Sequence, residues 1–129
     1  MISVDTNVIV RLLAADDQAQ LKKARRLFEQ EEIFITTSVV LECEWVLRYA
    51  YHFDPPMIVH AFQALFGLSN VTLEEQVVVS DALEWHGQGM DFADALHLAK
   101  SQQCTSFATF DRKFIKSAAK LTQFNVEEP

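Results

Sequence analysis

Short β-branched runs set between longer stretches of helical periodicity constrain this chain more than any other feature. Ile2 to Val4, Ile33 to Thr36, Val71 to Leu73 and Ser106 to Thr109 have the length and residue types of strands in a parallel sheet. Between them, Val8 to Leu13 reads as a helix, and Asp16 or Asp17 caps a second through about Glu31 with Ala24, Leu27 and Phe28 facing inward. Ser38 opens a third helix to about Tyr51, and Asp54-Pro55-Pro56 breaks the chain before a fourth to Phe66, proline being tolerated in a first turn. Glu74 to His86, Asp91 to about Gln102 and Arg112 to Ala119 are further helices, and Leu121 to Val126 is a candidate last strand. This alternation predicts an α/β fold with a mainly parallel sheet, and 129 residues without a linker, repeat or low-complexity stretch predict one domain over residues 1–129.

Composition excludes several functions. No apolar run is long enough to span a bilayer, and Asp5 stands where a leader would be basic, so a non-exported cytoplasmic protein with no membrane association is expected. Cys43 and Cys104 are the only cysteines and lack the spacing of a disulfide framework or zinc knuckle. With Gly67, Gly87 and Gly89 as the only glycines, neither a P-loop nor a dinucleotide fingerprint can be written. No serine-centred elbow occurs, and His52, His60, His86 and His97 do not form a zinc pattern. The net charge of −7 argues against a generic nucleic-acid binder, and the basic run Lys22-Lys23-Ala-Arg25-Arg26 reads as a solvated helix face.

The informative residues are acids placed where packing or capping does not fully account for them. Asp5 falls at the carboxyl end of the first strand, the edge at which open α/β sheets bind ligands, although Asp, Thr and Asn are also ordinary helix caps. On the third helix, Glu42 shares a face with Val39, Trp45, Val46, Tyr49 and Phe53 and interrupts that apolar stripe. Glu44 points away and pairs on the surface with Arg48. A buried Glu42 needs an arginine or a metal ion as partner. Asp91 suits an N-cap; Asp94, one turn into the same helix, points to the sheet edge. Asp111 follows the fourth strand as Asp5 follows the first.

Val4-Asp5-Thr6-Asn7-Val8-Ile9-Val10-Arg11-Leu12-Leu13, Glu42 ahead of Trp45-Val46-Leu47-Arg48, Asp91-Phe92-Ala93-Asp94-Ala95-Leu96-His97 and Thr109-Phe110-Asp111-Arg112 together resemble a PIN-domain ribonuclease. The resemblance is strongest to the VapC-type toxin of bacterial toxin–antitoxin pairs. It extends over nearly the whole chain in length and motif order. It implies a three-layer α/β/α sandwich and an acidic quartet of Asp5, Glu42, Asp94 and Asp111, with Asn7 and Thr109 as accessory residues and Asp91 without an assigned place. It also implies an RNA substrate cut to leave a 5′-phosphate and a 3′-hydroxyl, a cognate antitoxin whose peptide lies in a groove of the toxin, and a homodimer.

Clustered carboxylates repel one another, and Mg²⁺ or Mn²⁺ removes the conflict; both take hard oxygen ligands. Setting aside the four acids leaves −7 + 4 = −3 for the remainder, so a bound cation makes such a site attractive to a phosphodiester. Two rivals remain at this stage. A haloacid-dehalogenase-like phosphatase would use Asp5 as nucleophile, although its second acid two positions on is here Asn7; a noncatalytic interaction domain would keep only a vestigial acidic pocket.

Overall fold

Strand pairing in the computed structural model, which describes residues 1–129, is parallel throughout. Two compact units are formed, Met1–Gln76 and Val77–Pro129.

In the first unit, β1 (Ile2–Ser3), β2 (Ile33–Ile35) and β3 (Val71–Leu73) stand in the order β1-β2-β3, with Ile2 opposite Ile33 and Ile33 opposite Val71. Parallel neighbours need long crossovers. These are α1 (Thr6–Ala14) with α2 (Gln18–Gln30), then α3 (Thr37–Tyr51) with α4 (Pro55–Phe66). Ile33 and Ile35 of the central strand are wholly buried, as are Ile58 and Phe62 of α4. The first strand is not buried as its β-branched run suggests: Ile2 is 37% exposed and Ser3 is exposed, because β1 is the edge strand of this sheet and pairs only with β2. Val4, just beyond it, is the buried anchor.

Helix starts follow one local rule. Asp5, Asp17 and Asp54 each sit in extended conformation and accept a hydrogen bond from the backbone N–H three residues on, at 3.2, 3.0 and 3.0 Å. The third helix is capped by Thr36 rather than Ser38: Thr36 Oγ1 accepts from Val39 N at 3.3 Å. Glu74 fastens the same turn, accepting from the Thr37 N–H and hydroxyl at 3.0 Å each.

In the second unit, α5 (Gln76–Gly87, its first residue being the last of the first unit) and α6 (Phe92–Ala99) precede β4 (Phe107–Ala108), α7 (Arg112–Leu121) and β5 (Val126–Glu127), with β4 and β5 parallel. The α5–α6 turn uses Gly89 at φ 114°, a conformation that a side chain strains. The buried His86 ring stands 2.8 Å, at Nδ1, from the Met90 carbonyl across that turn. The sixth helix stops at Ala99, short of Gln102, because polar side chains take over its last carbonyls: Ser101 Oγ donates to His97 O and Gln102 Nε2 to Leu98 O. The last strand is likewise shorter than Leu121 to Val126, since Thr122 Oγ1 accepts from Phe124 N and holds a turn there.

Candidate active site

In the first unit, the sequence following β1 places Asp5 at the N-cap of α1 and Thr6 as its first helical residue. The two side chains diverge. Asp5 stays exposed, with Oδ1 engaged by the Val8 N–H, which leaves its second oxygen for a ligand. Thr6 is buried, and its hydroxyl donates to Oε1 of Glu42 in the middle of α3. One backbone step therefore links the two acids. Cys43 lies beneath them, its Sγ 4.0 Å from the Thr6 carbonyl. Burial pushes the Cys43 thiol up to about 12, and the charges of Glu42 and Asp5 add to the effect. Cys43 is only 1% exposed, so the donors that face solvent here are the carboxylate oxygens of Asp5 and Glu42.

The third helix is rotated relative to the stripe expected from its aromatic residues. Its core face is Val40, Cys43, Glu44 and Leu47, at spacings of three and four, whereas Trp45 and Tyr49 are 55% and 58% exposed. Glu42 is therefore an exposed acid, not one buried in an apolar stripe, and its partner is a hydroxyl rather than an arginine. Glu44 is the buried acid, 1% exposed. Its pairing with Arg48 is as expected but not on the surface: Nε donates at 2.7 Å and Nη2 at 3.3 Å. These bonds raise the guanidinium further above its ordinary range, and Arg48 also lies 4.6 Å from the Tyr49 ring centre. Asn7 turns toward a groove between α1 and α2 that Val8, Arg11, Lys23 and Leu27 also line.

In the second unit, Asp91 caps α6, accepting from Asp94 N at 3.2 Å, and Asp111 caps α7, accepting from Phe114 N at 3.1 Å. Both carboxylates thus face the positive end of a helix dipole. Thr109 Oγ1 accepts from the Asp111 N–H at 3.0 Å and fixes the approach to that cap. Asp91, Asp94 and Asp111 line one cavity of about 300 Å³ together with Met90, Lys113 and Ser117. Asp94 is half-buried and makes no cap. Burial first, then the charges of Asp91 and Asp111, raise its carboxyl above the ordinary range, with His97 opposing.

The chain matches the PIN domain family model over residues 2–120, which span both units. It belongs to the PIN domain family. Among solved structures, the Mycobacterium tuberculosis toxin VapC20, described as Sarcin-Ricin loop cleaving, aligns with 24% identity over 97% of this chain and 99% of that one, at a TM-score of 0.46. No curated protein matches the chain.

As a PIN domain, the chain carries its candidate acids as two sets: Asp5 with Glu42 in the first unit, Asp94 with Asp111 in the second, where Asp91 shares their cavity. Within neither unit do three His, Cys, Asp or Glu side chains form a ready-made metal cage. The donors are all hard carboxylate oxygens, which fit Mg²⁺ or Mn²⁺, ions that accept few protein ligands and keep waters and substrate oxygens for the rest. Thr6, through its bond to Glu42, is a candidate site residue that pattern reading passes over. Its only signal is its position between Asp5 and Asn7, where a first-turn threonine can turn into the fold while its neighbours turn out.

Proposed function

We propose that this PIN domain is a divalent-metal-dependent endoribonuclease, the toxin of a toxin–antitoxin pair, with Asp5, Glu42, Asp94 and Asp111 as its catalytic acids. The observation that carries the reading is the parallel placement of Asp5 and Asp111. Each follows within three residues of the end of a strand of a parallel pair, caps the next helix through Oδ1 and keeps its other oxygen available. The crowding of Asp94 by Asp91 and Asp111, which adds to burial in raising its carboxyl above the ordinary range, supports a cationic occupant, since a cation offsets that repulsion. The family assignment removes the ground for the phosphatase alternative.

Asp5, Glu42, Asp94 and Asp111 are the residues to hold Mg²⁺ or Mn²⁺. When bound, such an ion acidifies water and neutralises developing charge at phosphorus. The chain's own contribution is positioning. Thr6 keeps one Glu42 oxygen fixed, the two helix caps fix Asp5 and Asp111, and Asp91 holds the first turn that carries Asp94. Asn7 and Thr109 are accessory. The groove between α1 and α2, apolar at Val8 and Leu27 and cationic at Arg11 and Lys23, suits a partner peptide bearing apolar and acidic residues, the antitoxin role in this reading. A cytoplasmic homodimer is the expected form, and no helix is long and apolar enough to cross a membrane.

The test is RNA cleavage with Mg²⁺ or Mn²⁺ by the wild type, Asp5→Asn and Asp94→Asn, with a chelator control. Loss of cleavage in both variants and on chelation is expected. Wild-type and Asp5→Asn proteins cutting equally would remove the proposal. Calorimetric titration with Mn²⁺ separates it from a vestigial pocket, which would bind the ion no better than Asp94→Ala does.

A further inference from the structure

Phe110 is the most exposed large apolar side chain in the protein, at 78%, and it occupies the single position between Thr109 and Asp111. A flexible loop could bend such a ring inward, but this backbone is pinned on both sides. The Thr109 N–H donates to Glu127 O at 3.0 Å, Thr109 Oγ1 accepts from Asp111 N, and Asp111 Oδ1 accepts from the N–H of Phe114. Phe114 is itself buried against Phe107, ring centres 5.3 Å apart. The fold thus packs Phe107 against the buried Phe114 and leaves Phe110 out in water, one residue before Asp111, which lines the cavity with Asp91, Asp94 and Lys113.

We infer that Phe110 is a stacking platform for one nucleobase of single-stranded RNA next to the cut phosphodiester, with Lys113 and Arg112 meeting the adjoining phosphates. The inference rests on the ribonuclease reading and adds to it how the substrate is held. A nucleotide presents a flat ring joined to an anion. Here an exposed ring is followed in the chain by Asp111 and then by two exposed cations, Arg112 having only a 3.6 Å pairing with Glu128 at 90% side-chain exposure. A protein partner would call for a ring embedded in an apolar patch, whereas the chain neighbours of Phe110 on the exposed side are Thr109, Asp111, Arg112 and Lys113. Stacking also suits an acidic domain that has little to read base edges with, since every base offers a π-face.

Cut sites of the wild-type protein are mapped on RNA with Mn²⁺ by sequencing the new 5′ ends. A short RNA spanning one site then serves as substrate for the wild type, Phe110→Ala, Phe110→Leu and Phe110→Trp. Phe110→Ala should raise KM about ten- to a hundredfold, the range of one base–aromatic stack, with kcat near wild type and an unchanged melting profile. Phe110→Trp should retain wild-type KM while Phe110→Leu, apolar without a π-face, behaves like Phe110→Ala. Replacing one of the two nucleotides flanking the cut with an abasic one should make wild type and Phe110→Ala equal. Wild-type kinetics in Phe110→Ala would overturn the inference and leave the ribonuclease reading standing. So would full recovery in Phe110→Leu, or loss of antitoxin binding with cleavage intact. A wild-type protein that cuts no RNA with either metal would remove both.

Discussion

The buried Thr6 hydroxyl donates to the carboxylate of Glu42, 36 residues further along the chain, and this bond couples the turn after β1 to the middle of α3. Thr6→Val keeps the shape of the side chain and removes the donor. Because Glu42 is exposed, water takes the place of the lost hydroxyl, so the stability cost should stay at about 1 kcal/mol. Cleavage should fall more clearly, by roughly tenfold, because Glu42 then samples several orientations. The diagnostic measurement is a double-mutant cycle. Thr6→Val should cost little further activity in a Glu42→Gln background if the hydroxyl acts through that carboxylate, and a full additive loss would separate the two residues.

Arg48 and Glu44 make an unequal pair: the acid is 1% exposed on its side chain, the guanidinium 33%. Removing Arg48 strands a buried carboxylate, for which about 3–5 kcal/mol is the ordinary cost. Removing Glu44 releases a cation that can reach solvent. Arg48→Ala should therefore destabilise the protein more than Glu44→Leu in urea or thermal unfolding, although Arg48 is the more exposed of the two. The reverse order would show that the buried Glu44 side chain does not depend on Arg48 for its compensation.

Glu42 and Glu44 of α3 also mark where the sequence was readable and where it was not. Parallel strands at Ile33 and Val71, the caps at Asp17, Asp54, Asp91 and Asp111, and the break at Asp54-Pro55-Pro56 follow from local chemistry that no distant contact overrides. The facing of α3 does not. Val39, Trp45, Val46 and Tyr49 form one apolar stripe and Val40, Cys43 and Leu47 another. The choice between them depends on whether Arg48 can reach in to a buried Glu44, a tertiary fact. The Asp5 and Asp111 placements were legible because a strand end and a helix cap coincide there. The cap and ligand readings are compatible, since capping engages one carboxylate oxygen of two.

Asp94 is held in an environment that disfavours its charge, by burial and by Asp91 and Asp111. A carboxyl whose folded pKa is raised subtracts stability once ionised, so the penalty is absent at low pH and complete above the folded value. In chelator-treated protein at pH 7, Asp94→Asn should therefore be slightly more stable than wild type. The gain is roughly a few tenths of a kcal/mol because the group is partly solvated. Cleavage should be lost in the same variant. Stability and activity moving in opposite directions at one residue is the signature of a functional acid; a destabilised Asp94→Asn would instead make the carboxylate a structural group.

At the far end of α1, Asp16 accepts hydrogen bonds from Tyr51 at 2.7 Å and Arg11 at 3.3 Å, and Arg11 also donates to the Tyr51 oxygen at 2.9 Å. The Tyr51 bond first, and Arg11 with it, hold the Asp16 carboxyl below its ordinary value of 3.8. The folded pKa is depressed, so the resulting stability is complete above about pH 3.8 and disappears as pH falls through the lower folded value. Acid unfolding should therefore begin at higher pH in Tyr51→Phe, which removes the donor and keeps the ring, while melting at pH 7 changes little because Asp16 is surface-exposed and Arg11 still pairs with it. Asp16→Asn should lose this pH-dependent component, and its acid limb should not shift again when Tyr51→Phe is added. An unchanged acid limb in Tyr51→Phe would show that the tyrosine hydroxyl does not stabilise the ionised acid.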